Sequence, residues 1–152
     1  MAGHLDSFIN TGHRIHQQSV KLMAVAPNDK YDWKPSDTAM TLGKLMNHMR
    51  GGELAIIEAA LNGAFPKEYP TDSGDTAELI AAFDQQHSAL SERLAALTPE
   101  QLDETVAPFG PGKEMSRRAV LHVAHEHEIH HRGQLYVYLR TLLGNDIPPL
   151  FG

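Results

Sequence analysis

The sequence predicts an all-α protein, a four-helix bundle, and three observations carry that prediction. Apolar residues recur at three- and four-residue intervals through four stretches of roughly 20 residues, the spacing that lines one side of a helix. Clusters of Pro, Gly, Asn and Asp separate the stretches. The 152 residues, 41% of them apolar, suffice for one domain with a sizeable core and are too few for two.

The first helix is expected over about residues 5–26, with Leu5, Phe8, Ile9, Ile15, Leu22, Met23 and Val25 periodic and Gly12 its weak point. His13 and His16 lie on it beside Arg14, Gln17 and Gln18, which suggests a solvated edge. Pro27, Asn28 and Asp29 end it, since proline cannot donate the next helical hydrogen bond. Tyr31 and Trp33 in the connector YDWKPSDTAMT are read as plugs over one end of the core.

The second helix is expected to start near residues 39–41, capped by Asp37 or Thr38, and to run through TLGKLMNHMRGGELAIIEAALNG. Leu42, Leu45, Met46, Met49, Ile56 and Leu61 give it a buried face that includes His48. Gly51 and Gly52 follow, each costing a helix about 1 kcal/mol relative to alanine. Either they leave open space beside His48, or they let a neighbouring helix approach closely.

Gly63, Pro66, Pro70 and Gly74 mark a loop. The third helix is expected over about residues 75–97 on Leu79, Ile80, Phe83, Leu90, Leu94 and Leu97, with His87 exposed among polar neighbours. Thr98-Pro99-Glu100 reads as an N-cap with proline at the first helical position, hence a short extra turn before the loop ending in PFGPGKEM. The fourth helix begins near Ser116, stops at Gly144 and Asn145, and is followed by an extended tail, DIPPLFG.

That last helix contains LHVAHEHEIHHRGQLYVYLR, in which His127 and His131 stand four residues apart, only about 40° around the helix axis. They sit within a seam of Val120, Ala124, Leu135, Tyr138 and Leu142, so both rings can turn inward and reach one ion. The alternative pair, His127 with His130, lies on a more polar seam with Gln134 and Thr141; His122 and His125 are expected to meet water. Two inward imidazoles cannot easily satisfy each other's four ring nitrogens, and a cation does so. With His48 from the second helix they would form a three-histidine site, metal centres in bundles being assembled from inward side chains on facing helices.

Other features bound the chemistry. There is no cysteine, hence no disulfide, no thiolate nucleophile and no sulfur-ligated zinc site. The formal charge of −6, with Lys and Arg unclustered, argues against nucleic acid. No signal peptide opens the chain and no apolar run reaches the ~18 residues of a membrane span, so a soluble cytoplasmic protein is expected.

The segments YDWKPSDT, TLGKLMNHMRGGEL and EHEIHHRGQLYVYLRTLLG, with PPLFG after it, resemble the DinB-like (DinB/YfiT-like) metalloenzymes. The likeness covers nearly the whole chain, and the histidine pair followed by RGQ, after a histidine in the second helix, is its most specific part. It implies an up-down-down-up bundle, a homodimer, and a divalent metal ligated at His48, His127 and His131. It also implies a small-molecule substrate and, from characterised members, chemistry that uses a low-molecular-weight thiol in transfer or isomerisation.

Three neutral imidazoles leave a divalent ion its charge and an open position, as in catalytic rather than closed structural sites. Imidazole suits zinc and nickel among others, with zinc expected first. Hydrolysis or thiol transfer then needs a base or orienting partner, for which Glu128 and Glu53 are the candidates. Arg132 and Gln134 are read as packing or dimer contacts. Two other readings stand beside the enzyme: a non-catalytic metal bundle whose shell is closed by His13, His16 or Glu53, and a dimerising module without metal.

Overall fold

A computed structural model describes residues 3–149, so the last three residues of the expected tail lie outside the described part. The four expected long helices are α1 (His4–Met23), α2 (Leu42–Asn62), α3 (Thr76–Ala95) and α5 (Arg117–Leu143), with a short α4 (Pro99–Leu102) between the last two. A 3-10 turn at Asn28–Lys30 follows α1. Before α5 lies a two-residue antiparallel ribbon that the apolar pattern does not predict, β1 (Thr105–Val106) and β2 (Met115–Ser116).

Side-chain caps fix most starts by accepting an N–H that the first helical turn leaves unpaired. Asp75 accepts from Glu78 at 2.9 Å and Ser116 from Ala119 at 3.1 Å. Thr98 caps α4 ahead of Pro99, as the sequence predicts, and Gln101 Oε1 in turn accepts from Thr98 N–H. Neither Asp37 nor Thr38 caps α2; Thr41 does, accepting from Lys44 at 3.1 Å. The connector has its own bonds to make first: Leu42 N–H donates to Trp33 O and Gly43 N–H to Tyr31 O, which tie it to the helix and delay the start. Tyr31 lies against Gly43 and Trp33 packs edge-on to Tyr138, so both aromatics close this end of the bundle.

Cross-helix contacts set the directions. His13 meets His87 and His16 meets Asp84, so α1 and α3 run antiparallel. Phe8 stacks on His125 and Gln18 accepts from Arg132, so α1 and α5 run parallel. His48 meets His131 while Gly52 meets His127, so α2 opposes α5. The order is up, down, down, up.

Two apolar clusters form the core. Leu22, Met23, Leu42, Leu45, Met46, Met49, Leu79, Phe83, Leu135 and Leu139 fill one end. Ile56, Ile57, Ala60, Leu90, Leu94, Leu102, Val120, Leu121 and Ala124 fill the other. Each such large side chain contributes about 1.5–3 kcal/mol by leaving water. Between them, at one level on all four helices, lies a buried polar layer containing His16, Glu53, His87 and Glu128. Among the described residues no helix is long and apolar enough to cross a membrane.

Candidate metal centre

The antiparallel packing of α2 against α5 sets His48 opposite His127 and His131, whose four-residue spacing puts them on one side of α5. His48 Nε2 lies 3.1 Å from His131 Nε2 and 3.1 Å from His127 Nε2. His131 is buried and the other two are half-buried. His130 and His122 are exposed, so of the two seams the one through His131 is the one turned inward.

The two glycines of α2 divide the roles expected of them. A β-carbon on Gly52 would fall 2.1 Å from His127 Cε1, so the ring occupies the space that glycine leaves; nothing lies within 4 Å of a β-carbon on Gly51. Close approach explains the first glycine and open space the second, which borders a cavity.

Proton accounting bears on the ligand atoms. His131 Nδ1–H donates to Gln134 Oε1 at 2.7 Å, which leaves its Nε2 lone pair turned toward His48 and His127. Gln134, expected in packing or a dimer contact, therefore orients a ring; its place three residues after His131 was the available signal. Burial, with smaller contributions from neighbouring histidines, pushes His127 down to about 4 and holds His48 below the usual imidazole range. Both are neutral at pH 7. One shared proton cannot satisfy three mutually facing Nε2 atoms, whereas an ion at the usual metal–nitrogen distance of about 2.1 Å can be shared by nitrogens this close. The residues fit a divalent transition ion, and this three-histidine group could hold one.

The site opens into a cavity of about 530 Å³ between α2, the loop after it and α5. Phe65, Tyr69 and Phe109 form its outer wall, and Lys44, paired with Asp72 at 3.3 Å, stands at its edge.

Glu53 and Glu128, expected beside the ligands, face elsewhere. Glu53 accepts from His87 Nδ1 at 2.8 Å and from Gln86 at 3.1 Å in the polar layer, and neither carboxylate lines the cavity. The physical reason is rotation: successive helical residues are about 100° apart, so the neighbour of a ligand points to another side. His13, His16 and His87 also depart from expectation, since the apposition of α1 and α3 buries what reads as a polar edge; His16 is 5% exposed. His125 is not in water but stacked on Phe8 with centroids 4.0 Å apart, and burial pushes it down to about 4. Arg132, a further residue read as packing, is buried and donates to Gln18.

Two results follow for this region. Gln134→Ala should lower metal affinity about 10–100-fold, the usual cost of losing a ligand's orienting partner, without altering thermal stability of the metal-free protein. A metal titration beside a thermal melt checks it. The second concerns Glu128, which burial, then the charge of Glu53, raises from 4.5 to about 7, against Ser19, His87 and Arg132. The folded protein then retains a proton that the unfolded chain releases first. Stability therefore falls as pH rises from 4.5 towards 7, by on the order of 3 kcal/mol once above it. Metal-free Glu128→Gln should melt higher than the parent at about pH 8 and alike at about pH 4, by calorimetry.

Comparison with known proteins decides the family. The model of the DinB superfamily matches residues 12–135. The chain belongs to the DinB superfamily. YjoA of Bacillus subtilis (strain 168) is 30% identical over 124 residues, 79% of either chain. The crystal structure of that DinB-like protein superposes with a TM-score of 0.79 at 26% identity, covering 95% of this chain and 96% of the other. A DinB-like protein from Bacillus cereus ATCC 10987 gives 0.82 at 20% identity over 98% and 99% of the two chains, and shares the fold. The DinB bundle thus supplies the frame, and the three-histidine group stands between its α2 and α5.

Proposed function

We propose that this DinB-like protein is a divalent-metal-dependent enzyme whose ligands are His48, His127 and His131, acting on a small molecule held in the adjoining cavity. The observation that carries the reading is the convergence of three imidazole Nε2 atoms beside a cavity of about 530 Å³. When bound, the ion supplies a Lewis acid with positions left toward that cavity. Zinc is the first candidate and nickel the second, both suited to imidazole.

The chain's own residues narrow the reaction. Gln134 holds His131 in the tautomer that presents Nε2. Phe65, Tyr69 and Phe109 accept an apolar body and exclude water from one side. Among the described residues Asp72 is the single carboxylate on the cavity lining, exposed and paired with Lys44. A reaction whose nucleophile ionises without a protein base suits such a cavity better than one needing a buried carboxylate. A thiol, with a pKa of about 8.5, meets that requirement. Because the chain has no cysteine, the thiol must arrive as a separate low-molecular-weight cofactor. Thiol-dependent transfer to an electrophile is therefore the favoured chemistry, with hydrolysis second.

The closed-shell alternative loses its fourth ligand, since His13, His16 and Glu53 all take part in the polar layer instead. The test is a turnover screen of the metal-loaded protein with ester and electrophile substrates, each with and without a low-molecular-weight thiol. Thiol-dependent turnover that His48→Ala abolishes is the expected result. Turnover unchanged in His48→Ala, or none across the screen, would count against the reading.

A further inference from the structure

The polar layer between the two apolar clusters holds buried polar atoms that hydrogen bonds leave unmatched. His16 Nε2 pairs with the Asp84 carboxylate at 2.6 Å, which places the ring proton there and leaves Nδ1 as a lone pair. That Nδ1 is buried without a hydrogen-bond partner, and so is Glu128 Oε1. Glu53 adds two carboxylate oxygens, whose hydrogen-bond partners among the described residues are His87 and Gln86 and no Lys or Arg. Arg132 donates its hydrogen bond to Gln18, and only its charge acts on Glu128. Buried, unmatched lone pairs are costly, and carboxylates facing each other in a core add to the cost.

Geometry gathers these atoms. One ligand atom each from His16, Glu53 and His87 lies within 4.8 Å of the others, and the three come from three different helices. Glu128, on the fourth helix, borders the same small cavity as Glu53 and His87. A cavity of about 20 Å³ borders Glu53, His87 and Glu128, enough for one water-sized body.

We propose that this layer is a second metal site, in which His16, Glu53 and His87, with the Glu128 carboxylate beside them, take one divalent transition-metal ion inside the bundle. The donor set is mixed nitrogen and oxygen, which suits zinc, manganese or iron(II). Successive residues serve the two centres: Gly52 and His127 face the first, and Glu53 and Glu128, about 100° further around their helices, face the second. The two sites are not equivalent in affinity. The His16 and His87 rings are stacked 4.1 Å apart with planes 2° from parallel, so one ring must tilt before both can meet an ion. His87 also has both nitrogens engaged, with Glu53 and with His13. The second site therefore fills after the first.

The experiment is a zinc titration of the metal-free full chain by calorimetry, with elemental analysis of the product. The parent should take two equivalents, a tight step and a weaker one. Glu53→Gln and His87→Gln should keep the tight step, which also reports that they fold, and weaken the second at least tenfold. His48→Ala should show the reverse. Saturation of the parent at one equivalent overturns the proposal, as does a second equivalent that persists in both layer variants, which is an adventitious ion on surface histidines. Anomalous diffraction from zinc-loaded parent crystals decides it independently of the variants: a peak within the layer supports the site, and its absence at saturating zinc overturns it.

Discussion

His48→Ala should lower the affinity of the tight metal step by more than about 100-fold, beyond what loss of an orienting partner alone costs. The variant removes one of three converging imidazoles and leaves His127 and His131 to face each other across the gap. Two nitrogens on one helix do not fix an ion as three on two helices do. Metal-free stability should change little, within about 1 kcal/mol, because His48 is half-buried and alanine is the better helix former. The combination is diagnostic. A metal titration and a thermal melt on the same preparation separate a lost ligand from a damaged fold, and near-parental affinity would remove His48 from the site.

The second large effect belongs to a residue with no side chain. In Gly52→Ala the new methyl would lie 2.1 Å from His127 Cε1 and 2.6 Å from Nδ1, so the two cannot coexist. Two responses compete. Helix backbone is stiff and overpacking a core costs about 1–3 kcal/mol, whereas an imidazole can swing about its own torsions for less. The ring should move, and the gain of about 1 kcal/mol from replacing a helical glycine offsets much of the strain. Stability should stay within about 1 kcal/mol of the parent, while metal affinity falls as steeply as when His127 itself is removed. Gly51→Ala is the matched control: a β-carbon there meets nothing within 4 Å, so it should retain metal and gain up to about 1 kcal/mol in stability. If Gly52→Ala binds metal as the parent does, the close approach of α2 to α5 is not what holds His127 in place.

How far the sequence alone reaches depends on whether a feature lies within one helix or between two. The pair His127 and His131, and its preference over His130, follow from periodicity on a single helix, and the structure buries His131 while exposing His130. The apolar stripes likewise locate the four long helices, with Thr41 instead of Asp37 or Thr38 as cap because the connector's own backbone bonds come first. The polar layer was not legible. His16 and His87 each stand among Arg, Gln and Ser neighbours, and only the antiparallel apposition of α1 and α3 turns them inward together. Glu53 and Glu128 stand close to the ligands in sequence, but on a helix adjacency in sequence is divergence in space. Gly52 carried a signal that only a partner could interpret: a missing side chain says that something comes close, not what.

The central claim is tested most directly by X-ray absorption on protein loaded with one equivalent of zinc. Three imidazoles in the first coordination shell, with the remaining positions held by light atoms from solvent and one imidazole lost in His48→Ala, is the predicted result. A shell of four protein ligands, or one whose imidazole count does not change in that variant, would contradict it.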